Sequence, residues 1–504
     1  MSLRTVLMAL LGGSMLAMSF VLPWAWWMNV PAVGAFALAQ AGPLKSRVAA
    51  SLAFGWAAFV GGYHWLQPTL VSLWGGLSVL SWAVWFALAA WFSLRFVLVG
   101  LGYGALRRRG ANAQMALTVP WILAEWAYPT LFPFFLASPW IGRPLWVSIV
   151  SLGGPLLASA LLCALGATLS DVIESRKNRG RVRLRPLMGV SLAVLAALVA
   201  GTWSNARVSR AIEESPTLEV AIVQANIDVS KPTERLLAHR RYLDESMAIE
   251  RAGDVDLLVW PETSYAVPID DRFPTSGAAV SGTLRTPLLF GGVIEERSTG
   301  ERWNSALLAD GEGQIRSIYR KRHRIPFAEF VPWGAQFPRW LELMPTRSQF
   351  SRGRGPASIQ FGEYSIATPI CYEAIRPSFV RSLAREAQPE LLVTLANDGW
   401  FDDSVGPSIH LMLARMRAVE HRRFMVRATN TGISAIIDPF GQIVAQTALL
   451  ENATLVGEVR LLNESTLYAL FGDWPAGLAI LWLIVWLLHG RTTKRRLVST
   501  NQRP

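Results

Sequence analysis

The chain has 504 residues, of which 52% are hydrophobic and 17% charged. It is too apolar for a wholly soluble protein, in which about a quarter of residues are charged, and disorder is excluded as a main theme. The 48 Lys and Arg exceed the 36 Asp and Glu to give a net charge of +12, and the placement of that excess matters more than its size. Residues 1–204 carry 14 basic and 3 acidic residues, residues 205–470 carry 29 and 32, and residues 471–504 carry 5 and 1. Basic residues flanking apolar runs follow membrane topology, whereas a nucleic-acid footprint would lie on the polar domain, which is slightly acidic.

In chain order, apolar runs of about 20 residues, enough to span a bilayer, lie near 4–22, 25–43, 48–66, 78–100, 112–128, 145–169 and 186–204, with one more near 474–490. This predicts eight membrane helices. Arg4, the Lys45 and Arg47 pair, Arg107 to Arg109, the cluster between Arg176 and Arg185, and the group from Arg491 to Arg496 fall on one side, while the intervening turns hold only Arg143. Positive charge marks the cytoplasmic side, so both ends of the sequence are expected there and the polar domain on the periplasmic face of a bacterial inner membrane. The first run is read as a retained span rather than a signal peptide, because it has no clear small-residue cleavage site. The expected division is a seven-helix membrane domain over 1–204, an extracytoplasmic domain over 205–470, and an eighth helix with a basic tail over 471–504. The segment Tyr128-Pro-Thr-Leu-Phe-Pro-Phe-Phe-Leu-Ala-Ser-Pro-Trp140 is apolar but broken by proline, and it reads equally as a re-entrant stretch or an aromatic interface belt.

Residues 205–470 change texture. Short β-branched runs predict strands at Leu218–Val223, Asp256–Trp260, Leu288–Ile294, Ser305–Leu308, Ile315–Tyr319, Ser358–Phe361, Tyr364–Ile370, Leu391–Leu395, Ile433–Ile437 and Gln442–Gln446. Asp310-Gly-Glu-Gly313 and Asp438-Pro-Phe-Gly441 read as hairpin turns, and helices are expected near 232–252, 374–388 and 407–423. Strands mixed with helices over this length indicate a layered α/β domain.

Three positions carry candidate chemistry. Cys371 follows the apolar strand Ile366-Ala-Thr-Pro-Ile370 and precedes a helix, a place where open α/β sheets hold ligands and where a helix N-terminus favours thiolate. A buried structural cysteine reads as well from this segment alone, but a single thiol in the polar half of an oxidising compartment tilts toward function. Glu262 ends the strand Leu257-Leu-Val-Trp-Pro, where partial desolvation makes a usable general base; alone it reads better as a strand-end charge. Lys321 lies in Tyr319-Arg-Lys-Arg-His-Arg-Ile-Pro-Phe-Ala-Glu-Phe-Val-Pro332, and charge alone does not choose among its five basic residues. Glu329 is the one carboxylate of the apolar half of that stretch.

In the order Glu262, Lys321, Cys371, these motifs resemble the nitrilase superfamily, and with many spans before the domain and one after it the chain is similar to its membrane-embedded branch, the apolipoprotein N-acyltransferases. The resemblance implies an α-β-β-α sandwich with Cys371 as nucleophile, Glu262 as general base and Lys321 as oxyanion-stabilising cation. It further implies a role for Glu329 as an additional site carboxylate, for Tyr372 and Glu373 beside the nucleophile, and for Trp400 near a lipid entrance. The donor it implies is a phospholipid and the acceptor the N-terminal amine of a diacylglyceryl-cysteine on an apolipoprotein. No cofactor, no metal and no nucleic acid are expected, and the protein is expected to act as a monomer. Ala328 stands where the family has glycine, and Asn226–Thr233 lacks a tryptophan that some members carry. Three other readings stay open: a membrane-tethered amidase with the same triad, a paralogous N-acyltransferase with another amine acceptor, and a transporter or receptor.

Overall fold

In the computed structural model, which describes residues 3–73, 78–177, 184–228, 231–270, 277–334, 336–339 and 349–500, each of the eight apolar runs is α-helical over at least part of its length. The helices are Leu3–Val21, Asn29–Ala39, Leu44–Gly62, Ser78–Arg108, Ala113–Ala127, Val150–Lys177, Leu184–Glu214 and Trp474–Thr500. Among the described residues four of these, in the first, fourth, sixth and seventh runs, are long and apolar enough to cross a bilayer. The second run shows why a uniform set of eight spans is not seen. Its 11-residue α-helix covers only about 16 Å, because Pro23–Met28 forms a separate three-ten helix in front of it.

The chain divides into two compact units. One holds the described residues of Met1–His64, Ala83–Thr202 and Phe471–Pro504, the other those of Trp65–Trp82 and Trp203–Leu470. In the helical unit the Pro-rich segment after Ala127 is irregular backbone of bends and turns that closes with a three-ten turn at Ser138–Trp140. Lipid offers such backbone no hydrogen-bond partners, and side chains from the helices supply them. Arg95 donates to the carbonyl of Phe134 at 3.2 Å, Glu125 accepts from the amide of Leu136 at 2.8 Å, and Asn29 donates to the carbonyl of Leu136 at 2.6 Å. Ser159 accepts from the amide of Ala137 at 3.2 Å. The Arg95 guanidinium also sits over the rings of Phe92, Phe96 and Phe134. The segment is therefore tied to the helical unit by side chains of four helices.

The second unit has two sheets. The first runs in the order β13-β1-β2-β4-β5-β6, with β3 also on β4; its strands are β1 (Thr217–Gln224), β2 (Leu257–Val259), β3 (Tyr265–Asp270), β4 (Leu288–Glu296), β5 (Glu301–Ala309), β6 (Ile315–Arg320) and β13 (Ala453–Arg460). The second runs β12-β11-β10-β9-β8-β7, with β7 (Ser358–Phe361), β8 (Tyr364–Ala367), β9 (Leu391–Ala396), β10 (Met425–Thr429), β11 (Ala435–Ile437) and β12 (Ile443–Gln446). Strand period decides the layering. Leu218, Val220 and Ile222 of β1 join a core shared with Leu391, Val393, Val426 and Ile436 of the second sheet, while Ala221 and Val223 face a separate core with Ala238, Tyr242 and Ile249 of the helix Pro232–Ala252. Helices Pro377–Ala387 and Gly406–His421 cover the outside of the second sheet through Leu383, Ala414 and Ala418. The result is the expected α-β-β-α sandwich. Both expected hairpin turns form, with Asp310 bonded across to Gln314 and Asp438 to Gln442.

Candidate active site

Parallel strands leave their loops at one end, and the candidate residues follow those ends. β1 and β2 are parallel, as are β8, β9 and β10. Glu262 follows β2, Cys371 follows β8, and Asn397 and Asp398 follow β9. The loop bearing Glu262 crosses β4 at Gly291, whose amide donates to the carbonyl of Pro261 at 3.1 Å. A side chain there would meet that carbonyl at 2.5 Å and the Glu262 Cα at 2.6 Å, so only glycine lets the carboxylate through.

Lys321 continues the pairing of β6 with β5 beyond Arg320. Its amide donates to the carbonyl of Asn304 at 2.8 Å, which makes Asn304 and Lys321 cross-strand neighbours. Lys321 is 2% exposed. Its Nζ donates to Glu262 Oε1 at 3.1 Å and to Glu329 Oε1 at 2.9 Å. Asn304 Nδ2 reaches the same two oxygens at 2.7 and 3.3 Å. The outer oxygens accept from backbone, Glu262 Oε2 from Asn397 N at 3.0 Å and Glu329 Oε2 from Ile325 N at 2.8 Å. Burial pulls the Lys321 ammonium down, but Glu262 and Glu329 outweigh it and hold it well above the usual lysine range. An ammonium has three donors, and among the described residues two of them are engaged with carboxylates.

Cys371 opens a five-residue three-ten helix, Cys371–Ile375, and has a φ of +51°. Left-handed backbone costs a non-glycine residue about 1–2 kcal/mol and persists only where its surroundings over-determine it. The sequence led us to expect a thiolate favoured by the helix N-terminus. Burial instead pushes the thiol well above its usual range, Glu262 adds to this, and Lys321 opposes it. Cys371 therefore rests as a thiol and needs a base to become a nucleophile.

Glu373 is fully buried and braces this turn. One oxygen accepts from the amides of Arg322 and His323, both at 2.7 Å, and the other from Tyr319 Oη and Ile370 N, both at 2.9 Å. Burial still pushes its carboxyl up to about 7, against the pull of Lys321 and these donors. It thus ties the turn at Cys371 to the loop that carries Lys321. Tyr372 is buried, and its hydroxyl accepts from Arg376 at 3.0 Å. Trp400 is half exposed and lines an open cleft of about 710 Å³ together with Phe401, Asn397, Asn226, Asp228 and Lys231. Asn397, which lines that cleft, also donates its backbone N–H to Glu262. The basic stretch is not a free cationic patch. Arg322 is bound by both oxygens of Glu386, and the Arg320 and Arg324 guanidiniums lie over Trp303 and Phe330. Trp333 is 63% exposed, and Trp340, a further aromatic candidate for a lipid opening, lies outside the described residues.

The carbon-nitrogen hydrolase family matches residues 219–464. Apolipoprotein N-acyltransferase of Pseudomonas putida is 33% identical over 88% of this chain and 88% of its own, and that of Azotobacter vinelandii is 34% identical over 83% and 80%. The chain belongs to the apolipoprotein N-acyltransferase family. Among solved structures, Nit3 of Saccharomyces cerevisiae, of branch 10 of the nitrilase superfamily, aligns with 48% of this chain and 90% of its own at 20% identity and a TM-score of 0.37.

Sequence reasoning missed Asn304, which sits between both carboxylates of this family member. Its signal was faint, a polar residue opposite Lys321 in a strand whose start, expected at Ser305, lies four residues earlier at Glu301. Asn304→Ala removes hydrogen bonds to two charged groups, each worth about 1.5–3 kcal/mol. The expected result is a 10- to 100-fold lower acylation rate, read by single-turnover kinetics with the protein's fold checked by thermal melting. Wild-type kinetics in the variant would remove Asn304 from the site.

Proposed function

We propose that the chain moves a fatty acyl group from a phospholipid to the α-amine of diacylglyceryl-cysteine at the N-terminus of an apolipoprotein, through a thioester on Cys371. The observation that carries the reading is the buried ammonium of Lys321 held between Glu262 and Glu329. It is a fixed positive charge at the site of an otherwise protonated thiol. Glu262 takes the thiol proton as Sγ attacks the ester carbonyl. Lys321 steadies the developing oxyanion with its third N–H. The ester C–O bond breaks, Glu262 returns the proton to the departing alcohol, and a lysophospholipid leaves. The amine then attacks the thioester and gives a proton to Glu262. The C–S bond breaks, the proton goes to sulfur, and an amide is formed.

The protein is a bacterial membrane protein with lipid and lipoprotein substrates. We place it in the inner membrane with the 205–470 domain on the periplasmic side, between a helical domain over 1–204 and a final helix and tail over 471–504. Acyl chains cost about 0.8 kcal/mol per CH₂ to expose to water, so donor and acceptor are best met at a lipid surface. Exposed Trp333 and Phe337 on the loop after Glu329 suit such a surface.

The test is the intact mass of the protein after incubation with phospholipid vesicles, followed by a diacylated lipopeptide. Cys371 should gain one acyl chain, hold it against water, and lose it to the peptide. Cys371→Ala should gain none. Rapid release of free fatty acid with no acylated peptide would make the protein a hydrolase instead.

A further inference from the structure

The helical unit buries an arginine that no acid answers. Arg47 lies near the start of the helix Leu44–Gly62 and is 7% exposed. Among the described residues its side chain meets no hydrogen-bond acceptor, and its Nε is buried without one. The charged group that acts on it is another cation, Arg108, in the last turn of Ser78–Arg108. Other buried or half-buried arginines of this unit are provided for. Arg95 donates to the carbonyl of Phe134, and Arg107 to that of Ala111 at 2.9 Å.

Glycine cuts the groove that holds Arg47. A Cβ on Gly104 would overlap Arg47 Nη1 and lie 2.7 Å from its Cζ. One turn earlier, a Cβ on Gly100 would overlap Ser51 Oγ and lie 2.6 Å from Gln40 Oε1. Gly100, Gly104 and Arg108 stand at i, i+4 and i+8, on one face of their helix. Gln40 caps the helix Asn29–Ala39 and is buried. Its Oε1 accepts from Ser51 Oγ at 3.4 Å, while its Nε2, like Arg47 Nε, is buried with no acceptor among the described residues. Two unanswered donors are thus lodged against glycines about 5.4 Å apart along one helix, with the exposed Arg108 a further turn on.

A buried ion without a partner is costly, and a like charge beside it adds to the cost. One anion would relieve both. The arginine fork matches the oxygens of a phosphate group, and basic pockets between membrane helices take phospholipid headgroups. We propose that Arg47, with Gln40 and Arg108, forms a binding site for a phosphate group at this basic end of the helical unit, carried by an anionic phospholipid or by a free phosphate ion. The site makes no use of Cys371, so it stands or falls apart from the acyl-transfer reading.

The test reads the melting temperature of the full-length protein in micelles, because the proposal fixes its sign. Without lipid or phosphate, Arg47→Met should melt no lower than wild type, since it removes an ion that no acid of the protein answers. Phosphatidylglycerol at about a hundredfold excess over its dissociation constant should then raise wild type by about 5 °C more than Arg47→Met. Lipid held at the catalytic site raises both alike, so the difference between them is the reading. Arg47→Lys, which keeps the charge but not the fork, should recover about half of that difference, and Arg108→Gln, at an exposed position, should weaken lipid binding about 3- to 10-fold. Inorganic phosphate, compared with chloride at equal ionic strength, separates the sources. A difference with phosphatidylglycerol alone assigns a lipid headgroup, and a difference with both probes assigns the phosphate ion itself. A fall in melting temperature of Arg47→Met without either probe would reveal a counter-charge on the protein, and equal gains in wild type and Arg47→Met with both probes would leave Arg47 no phosphate to hold; each result overturns the proposal.

Discussion

Lys321→Met should lower the acylation rate of Cys371 by about 10³-fold or more and destabilise the catalytic unit by about 3–5 kcal/mol. The two losses have one origin. Glu262 Oε1 and Glu329 Oε1 both point at Nζ, at 3.1 and 2.9 Å. Without the ammonium the two oxygens face each other across Asn304 Nδ2 alone. The two like-charged, buried groups are then left without the ion that holds them, so the expected base is displaced as the oxyanion donor is lost. The folded-state shift of Lys321 is upward. Its stabilisation is therefore complete below the ordinary lysine value and lost only as pH rises through the higher folded value, well outside the neutral range. Adding Glu329→Gln to Lys321→Met removes one of the opposed charges. The double variant should regain much of the melting temperature and none of the activity. Single-turnover acylation and thermal unfolding in micelles read the two quantities; a Lys321→Met protein within tenfold of wild-type acylation would remove the lysine from the chemistry.

The parts of the site that local sequence revealed are those where strand and side chain are contiguous. Glu262 and Cys371 each sit a few residues past a short apolar strand, and the structure puts them there. Lys321 was not separable from its neighbours by charge, and the reason is now visible: its rivals are spoken for by Glu386, Trp303 and Phe330, and burial with nearby Arg376 pushes His323 down to about 4. What chooses Lys321 is a cross-strand partner, Asn304, and two carboxylates far apart in sequence. The same limit governs the fold. β10 was missed because Arg427 interrupts an otherwise apolar run, although its five residues are all buried. β13 was missed because its pairing partner, β1, lies more than 200 residues earlier. β3 carries Pro268, which argues against a strand by propensity and sits on one that, among the described residues, pairs with β4 alone. In the helical unit, the groups that satisfy the Pro-rich segment come from Asn29, Arg95, Glu125 and Ser159 on four different helices, a pattern no window of sequence contains.

Asp398→Asn should cost about 3–5 kcal/mol, because it leaves the fully buried Arg427 without its counter-charge. For a unit of this size that is a fall in melting temperature of about 10 °C. Burial opposes ionisation of Asp398, yet Arg427 and His410 overcome it and hold the carboxyl at about 2, against an ordinary 3.8. The ionised group thus contributes about 2 kcal/mol that is complete above pH ~4 and is lost as pH falls toward 2. Wild type should show that acid-side loss of stability, and Asp398→Asn should lack that component of it. Replacing both partners, Asp398→Asn with Arg427→Met, removes the stranded charge along with its mate. More than half of the lost stability should return, because what is costly is one unpaired ion and not the absence of the pair. A single variant that melts within a degree or two of wild type would mean that Asp398 does not hold Arg427 at all.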